Sequence, residues 1–294
     1  MTLFIHGVGH FHPENEISNR FLEGLDIGTS DQWILDRVGI RSRRTVLPLD
    51  YIRDTKNREP RMAMEAALYS NAELGRRASE IAISRARIEK SDIGMLISGT
   101  SLMDTTSPAE ACNIGRLMEL EVPAFDVNSA CTSLYVQLYV LSMMQPEKLP
   151  DYVLIVVTDS LTKAVDYTDR SAAVLWGDGA AAAVISTRNP SRAQILGTSM
   201  ESSPAGNDKV IVPRLGHFHQ EGRTVQTFGI KRMTRLLSSL QERFGTPDRT
   251  FNFVGHQANN RMLESVCKHC SIPPERHFAN VEWFGNTASA GYRR

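Results

Sequence analysis

The chain has 294 residues, 41% of them apolar, which is enough for one large domain or two smaller domains with buried cores. Its 33 Lys and Arg balance 33 Asp and Glu, and this neutral charge argues against a nucleic-acid-binding protein. Four cysteines are too few for a disulfide scaffold, and neither a signal peptide nor an apolar run of transmembrane length is found. We therefore expect a cytoplasmic globular protein that binds neither nucleic acid nor membrane.

Short apolar segments alternate with helical ones in the first part of the chain. Residues 3–8 are predicted as an opening strand, residues 62–88 as mostly helical, and residues 95–98 as a second strand. Pro108 suits the first turn of a helix that runs to about Leu120. This alternation of strands and helices favours an α/β fold.

The next strand and helix flank an informative cysteine. Residues 123–128 are predicted as a strand, and the helix that follows through Met144 carries apolar residues on nearly every side. Such a helix is usually buried in the protein centre. Residues 152–157 and 180–185 are continuous apolar strands, as expected when both faces of a sheet are covered.

Residues 186–192, which contain an Asn-Pro pair, are the best candidate for a link between two halves. We therefore predict an N-terminal half over residues 1–186 and a C-terminal half over residues 187–294. The later elements are predicted as a helix over 229–244, a strand over 251–254 and a helix over 259–270.

Cys131 lies at the predicted start of the buried helix, directly after a strand. Free N–H groups and the positive dipole end of a helix N-terminus favour a thiolate, so we expect the pKa of this thiol to fall. A thiolate held there is a competent nucleophile for an acyl group. Position alone leaves open that Cys131 is a small buried apolar residue.

Two polar residues of the second half could serve such a nucleophile. His256 is predicted at the C-terminal end of a strand, where the sites of α/β proteins usually lie. Asn286 lies on a Gly-containing turn before a run of small residues. A lone His or Asn in such a place more often holds a loop. Together with Cys131, they form a Cys/His/Asn set of the kind used in catalysis.

Four motifs occur in the order and spacing of one enzyme family. They are DVNSAC at 126–131, WGDGA at 176–180, HQAN at 256–259 and GNTA at 285–288. The chain thereby resembles the ketoacyl synthase III enzymes of the thiolase superfamily, from its first strand to about Ala290. The resemblance implies an α/β thiolase-like fold, in which two related βαβ halves form α-β-α-β-α layers, and a homodimer.

By this resemblance, Cys131 accepts an acyl group from an acyl-CoA thioester. Malonyl on acyl carrier protein then loses carbon dioxide, and its carbanion attacks the Cys131 thioester to give a 3-ketoacyl product in fatty-acid or polyketide initiation. His256 and Asn286 are implied as hydrogen-bond donors to the enolate oxygen. No permanently bound cofactor and no metal are implied, because acyl-CoA is a substrate.

The resemblance also implies a channel for coenzyme A. Trp33 matches a residue that stacks on the adenine, and Arg37 joins it by stacking or hydrogen bonding. Arg261 matches a basic residue near the pantetheine entrance, Asn259 belongs with these contacts, and Lys163 matches another cation of the channel. A solvated surface charge is the alternative for each cation.

The chain departs from the family pattern in four places, one of which is the run Ala180–Ala182 after Gly-Asp-Gly, where one usual glycine is replaced. Ser107 stands where acetyl-primed members carry a large aromatic residue, so we expect room for a longer or branched acyl group. Thr132 and Ser133 replace the usual Ala and Gly after the cysteine, which bears on the acyl pocket or on helix packing. The sequence stops soon after the Asn286 motif, where family members continue through a Gly-rich loop that supplies an oxyanion-hole N–H. A truncated chain and an altered end both agree with this.

Two other functions remain open. Acyl transfer to an oxygen or nitrogen nucleophile would use the same three residues, and the release of carbon dioxide separates the two reactions. A non-catalytic partner subunit of a ketosynthase would carry no acyl group on Cys131. Metal or redox chemistry at Cys267 and Cys270 is disfavoured because no second pair accompanies them, and loop histidines in the two His-x-His pairs are usually solvated.

Overall fold

A computed structural model describes residues 2–214, 216–246 and 251–291. Within these ranges the strands are β1 (Leu3–Phe11), β2 (Asn15–Ser18), β3 (Ser42–Thr45), β4 (Ile93–Gly99), β5 (Ala124–Asp126), β6 (Tyr152–Asp159), β7 (Gly179–Ser186), β8 (Ala193–Ile195), β9 (Val210–Ile211) and β10 (His219–Gln220). The α-helices are α1 (Asn19–Glu23), α2 (Asp31–Arg37), α3 (Leu49–Thr55), α4 (Pro60–Ala66), α5 (Asn71–Ala86), α6 (Glu110–Leu117), α7 (Ser133–Met143), α8 (Arg170–Ala173), α9 (Gly222–Phe244), α10 (Asn260–His269) and α11 (Val281–Phe284).

One mixed sheet joins strands of the first part of the chain in the order β5-β4-β6-β7-β1-β8. β4 runs parallel to β5 and β6, whereas β7 runs antiparallel to β6 and β1. Every residue of β7 is buried, and so is every residue of β6 after the first. The apolar runs therefore predict these two central strands correctly, because both of their faces are covered.

Helix α5 packs across β1 and fixes one face of the sheet. Ser70 begins the helix by accepting a hydrogen bond from the Glu73 backbone N–H at 3.1 Å. A Cβ added at Gly9 of β1 would lie 2.0 Å from the Ala78 carbonyl oxygen, so only glycine allows this close approach. The helical region predicted over 62–88 is thus confirmed as two helices, α4 and α5.

Helix α7 is less buried than its composition predicts. Its inner face packs on the sheet through residues such as Leu141, which is fully buried. The other face stays open in the part of the chain that the structure describes, with 45% of Tyr135 and 61% of Met143 exposed. The expectation of a helix buried in the protein centre is therefore wrong. An apolar composition predicts that a helix is covered on all sides, but it does not show which other elements cover it.

The second part of the chain contains long helices and little sheet. The predicted helices are confirmed as α9 and α10, which pack against each other. The strand predicted over 251–254 is reduced to one parallel bridge between Phe253 and His277. Strand β8 pairs with β1, so the sheet takes a strand from beyond residue 186, and the division at that residue stays a prediction. Among the described helices, none has the length and apolar character needed to cross a membrane.

Candidate active site

The nucleophile turn is a 3-10 turn over Ala130–Thr132, between β5 and α7. Ala130 adopts a left-handed φ of +46°, and its backbone N–H donates to Asn128 Oδ1 at 2.9 Å. Ser133 Oγ accepts from the Ser129 N–H at 2.9 Å and donates to the Ala130 carbonyl at 2.7 Å. The serine that departs from the family pattern therefore ties the turn to the start of α7.

The Cys131 thiol is protonated at neutral pH. Burial, together with the negative charge of Asp159, raises the pKa of Cys131 to about 12. The predicted fall in this pKa is wrong. Cys131 precedes the first residue of α7 and its cap Thr132, so the helix dipole does not outweigh the loss of hydration.

The imidazole of His256 is neutral at physiological pH. Burial alone lowers the pKa of its imidazole to about 4. Gln257, which the sequence analysis missed, holds the loop: its Nε2 donates to the Gly255 carbonyl at 2.7 Å, and its Oε1 accepts from the Asn280 N–H at 2.9 Å. The buried position of a polar residue next to His256 could not be inferred from the sequence pattern.

Asn286 is held by the turn that contains the Gly-Asp-Gly motif. Its backbone N–H donates to the Leu175 carbonyl at 2.8 Å, and its carbonyl accepts from the Gly177 N–H at 3.0 Å. A Cβ added at Gly177 would lie 2.1 Å from the Phe284 carbonyl oxygen, which explains the glycine. Because Asn286 Oδ1 accepts from the Ala288 N–H at 2.9 Å, Nδ2 is left as the donor of the side-chain amide.

One cavity of about 780 Å³ brings the three predicted catalytic residues together. Cys131, His256 and Asn286 all line it, although they come from the nucleophile turn, the loop after Phe253 and the turn after α11. A protonated thiol, a neutral imidazole and an amide N–H are groups that can exchange a proton and donate hydrogen bonds to an oxyanion. The arrangement suits acyl transfer.

Comparison with known proteins gives the family. The model of 3-oxoacyl-[acyl-carrier-protein] synthase III matches residues 125–204, and the model of its C-terminal part matches residues 240–292. A beta-ketoacyl-[acyl-carrier-protein] synthase III of Coxiella burnetii is 30% identical, over 97% of this chain and 86% of its own length. This chain belongs to the 3-oxoacyl-[acyl-carrier-protein] synthase III family.

Solved structures of synthases III show the same fold. The enzyme from Aquifex aeolicus superimposes with a TM-score of 0.86 at 26% identity, over 98% of this chain and 87% of that one. The enzyme from Pseudomonas aeruginosa gives a TM-score of 0.85 at 26% identity, over 99% and 86%. The predicted thiolase-like α/β fold is confirmed, and the protein is an acyltransferase of the ketoacyl synthase III type.

Two guanidinium groups lie near one indole in the lining of the cavity that contains Cys131. The guanidinium carbons of Arg37 and Arg170 lie 5.5 and 4.8 Å from the centroid of the Trp33 ring. Arg170 was missed in the sequence, since it follows the capping residue of the short helix α8 and only the fold brings it to Trp33. The three side chains form a cationic and aromatic platform that suits a purine and its phosphates.

Two other predicted coenzyme A contacts are engaged elsewhere. Asn259 lines the cavity, but its Oδ1 accepts from the Met262 N–H at 2.7 Å and thereby caps α10. Arg261 is exposed, forms an ion pair with Glu264 at 3.0 Å and donates to the Leu35 carbonyl at 3.0 Å. Among the described residues, Arg261 is not part of the cavity lining.

Lys163 lies away from the cavity of Cys131. Only 2% of its side chain is exposed, because its ammonium is drawn inward to the carboxylate of Asp104. Lys163 and Ser107 line a separate cavity of about 430 Å³. The structure therefore does not bring the predicted channel cation, or the position expected to open the acyl pocket, to the nucleophile of the same chain.

The other cysteine and histidine motifs form no metal centre in the described part of the chain. Within those ranges no group of three or more His, Cys, Asp or Glu side chains is arranged to hold a metal ion. Cys267 and Cys270 are buried in and just after α10, where they pack in the apolar core.

Proposed function

We propose that this synthase loads an acyl group from acyl-CoA onto Cys131 and condenses it with malonyl-acyl carrier protein to a 3-ketoacyl product. The observation that carries the proposal is the shared cavity of Cys131, His256 and Asn286, in which the first two are uncharged at rest. A permanent cofactor has no part in this chemistry. A homodimer, a cytoplasmic location and a role in fatty-acid or polyketide initiation complete the proposal.

In the first half-reaction, the Cys131 sulfur attacks the thioester carbonyl of acyl-CoA. The thiol proton must leave as the carbon–sulfur bond forms, and the neutral His256 imidazole can accept it. The sulfur of coenzyme A departs and takes that proton. Cys131 is left as a neutral thioester, and free coenzyme A is released.

In the second half-reaction, the malonyl carboxylate leaves as carbon dioxide and its bonding electrons form an enolate. The N–H groups of His256 and Asn286 Nδ2 can donate hydrogen bonds to the enolate oxygen. These bonds are strongest once negative charge has developed on that oxygen, so they stabilise the transition state more than the substrate. The enolate carbon attacks the Cys131 thioester, and the Cys131 sulfur departs as a thiolate. Because the pKa of this thiol is raised to about 12, the thiolate takes up a proton from the solvent, which balances the one proton that decarboxylative condensation consumes.

The platform of Trp33, Arg37 and Arg170 supports coenzyme A as the donor. An indole offers a face to an adenine, and guanidinium groups bind phosphate oxygens. The edge position of β5 in the sheet supports the homodimer, since an unpaired edge can pair with the same strand of a second copy. Equilibrium sedimentation checks the oligomeric state.

The decisive experiment is intact-protein mass spectrometry after mixing with acyl-CoA thioesters of increasing length and branching. We expect an acyl adduct on the unchanged protein and on Cys112→Ala, a matched control at an exposed cysteine, but none on Cys131→Ala. A strict preference for acetyl would contradict the expected room near Ser107. The absence of an adduct with every thioester, on folded protein, would favour a non-catalytic partner subunit.

Release of carbon dioxide separates condensation from its nearest rival. With acylated protein and malonyl-acyl carrier protein, we expect one carbon dioxide for each 3-ketoacyl product. Product formation from an oxygen or nitrogen acceptor without carbon dioxide would establish the other acyl transfer instead.

A further inference from the structure

Trp176 lines the cavity of Cys131 next to the turn that holds Asn286. Its backbone forms a parallel bridge with Asn286, because the neighbouring residues Leu175 and Gly177 make both backbone hydrogen bonds of that asparagine. The indole therefore extends from a backbone position that is fixed relative to a proposed catalytic side chain. A group carried on Cys131 shares this cavity with the indole.

The indole ring of Trp176 is held by a second aromatic side chain. The ring centroids of Trp176 and Phe218 lie 4.7 Å apart, with an angle of 70° between the ring planes. Both residues are buried, and the Phe218 backbone N–H donates to the Ala164 carbonyl at 2.8 Å. An edge-to-face pair of this kind restricts the orientation of both rings, so the direction of the indole N–H is fixed as well.

The indole N–H of Trp176 has no hydrogen-bond acceptor among the residues that the structure describes, although its Nε1 atom is buried. An aromatic face is a weak acceptor, so the ring of Phe218 does not replace an oxygen. An unpaired buried donor destabilises a folded protein, and native structures rarely contain one. This points to an acceptor that enters the cavity with a ligand.

The surroundings of Trp176 indicate which kind of group brings this acceptor. The residues that precede it in the cavity lining, Val174 and Leu175, are apolar. An apolar wall with one polar group is typical of a site that binds an apolar chain in one orientation. A keto oxygen suits an indole, which can only donate, because it accepts a hydrogen bond and needs no second partner.

We propose that Trp176 is a specificity-determining residue, whose indole N–H donates to a keto oxygen on the acyl chain of the acyl-CoA substrate. The inference rests on the proposed function, because it names the class of acyl group that Cys131 accepts. In the loading step the Cys131 sulfur takes the oxoacyl group, and coenzyme A leaves as a thiol with the cysteine proton. The keto group is not consumed.

Loading of Cys131 from four six-carbon donors tests the inference. Hexanoyl-CoA is compared with 3-oxo-, 4-oxo- and 5-oxohexanoyl-CoA, and the acyl adduct is followed by intact-protein mass spectrometry. At least one oxo donor is expected to load about tenfold faster than hexanoyl-CoA, because it pairs the buried N–H. In Trp176→Phe, which keeps an aromatic ring and removes the donor, this ratio of rates is expected to fall about tenfold. Comparison of the two proteins cancels differences in intrinsic reactivity among the thioesters.

Trp283→Phe is the matched control, since Trp283 is exposed and is not among the described residues that line the cavity. Its ratios of rates should equal those of the unchanged protein. Equal ratios in Trp176→Phe and the unchanged protein would overturn the inference. A loss shared equally by all four donors has the same meaning, because the acceptor would then lie on the pantetheine arm that they have in common.

The indole N–H resonance decides the question even if Trp176→Phe does not fold. The chain has three tryptophans, and the Phe variants of Trp33 and Trp283 assign two of the resonances, which leaves that of Trp176. In protein acylated from the preferred oxo donor, this proton is expected to resonate downfield of its position in hexanoyl-loaded protein. Identical positions in the two acylated forms would contradict the hydrogen bond.

Failure of the inference and failure of the proposed function give different results. If none of the four donors acylates Cys131, the proposed function fails and the inference fails with it. If hexanoyl-CoA acylates Cys131 but the ratios do not depend on Trp176, only the inference fails.

Discussion

Cys131 stands on a six-stranded sheet, whereas His256 and Asn286 lie in a region where the described strands give way to isolated bridges. The nucleophile turn follows a parallel strand and leads into a helix that packs on the same sheet. His256 and Asn286 are positioned mainly by hydrogen bonds, through Gln257 and through the turn at Gly177. The first region has its own sheet, whereas the Asn286 turn is held by backbone hydrogen bonds to Leu175 and Gly177 of the first region.

This difference predicts that substitutions of His256 and Asn286 lower the rates of decarboxylation and of Cys131 acylation by different amounts. We expect His256→Ala and Asn286→Ala to lower the decarboxylation rate by about 100- to 1000-fold, because each removes a donor to the enolate oxygen. Acylation of Cys131 should be largely spared in Asn286→Ala but not in His256→Ala, because only the second variant loses the proposed acceptor of the thiol proton. Carbon dioxide release and acyl-adduct formation are measured on the same samples. Equal losses of both steps in Asn286→Ala would contradict the division of roles.

A methyl group at the contact between the two regions should destabilise the fold of the region that contains Asn286. Gly177→Ala is expected to lower the free energy of unfolding by about 1–3 kcal/mol, because its Cβ would overlap the Phe284 carbonyl. Urea unfolding measures the loss, and decarboxylation should fall with it. Gly206→Ala is the control, since the nearest atom to its Cβ lies 4.0 Å away. An unaffected Gly177→Ala protein would show that the second region holds its shape independently.

The platform of Trp33, Arg37 and Arg170, which we propose binds coenzyme A, joins α2 and α8 of the first region. Its loss should weaken substrate binding and leave the rate of the chemical steps unchanged. We expect Trp33→Ala to raise KM for acyl-CoA about tenfold, or about 1.4 kcal/mol of binding, with kcat little changed. Trp283→Ala is the control, because Trp283 also packs beneath a guanidinium, that of Arg41, but does not line the cavity of Cys131. A similar KM for both variants would exclude the platform as the nucleotide site.

The smallest expected effect is that the His256 imidazole does not titrate between pH 8 and about pH 5. Because burial lowers the pKa of His256 to about 4, the folded protein keeps this imidazole neutral from pH 8 to about pH 5. Its ring-proton resonances, assigned by difference from His256→Gln, should not move in that interval. By linkage, this group costs folding stability only as the pH falls below its ordinary value of 6.5. A resonance that titrates near 6.5 would show a hydrated site.

Local patterns predict most of the first region. The apolar runs predict β4, β6 and β7, and the helical periodicity predicts α5, because each pattern reports directly on local structure. The strand over 251–254 is not formed beyond one bridge, since a strand needs a neighbour that the local sequence does not specify. The exposed face of α7 was not predicted for the same reason, because the local sequence does not specify which elements pack against a helix.

The motifs alone are sufficient to single out Cys131, His256 and Asn286, and the structure brings all three to one cavity. Their catalytic roles stay predictions until they are measured. The wrong expectation for the Cys131 pKa came from considering only the adjacent helix. Burial and the charge of Asp159 oppose that local effect, and both depend on contacts between distant segments.

The order of the motifs and the alternation of strands and helices establish the fold class and the residues of the candidate site, because both are properties of neighbouring residues along the chain. Only the tertiary structure pairs Arg170 with Trp33, turns Lys163 toward Asp104 and lets the charge of Asp159 act on the pKa of Cys131. Ionisation and binding geometry follow from hydration and from charges across space. Segments far apart in the sequence create these surroundings when the chain folds.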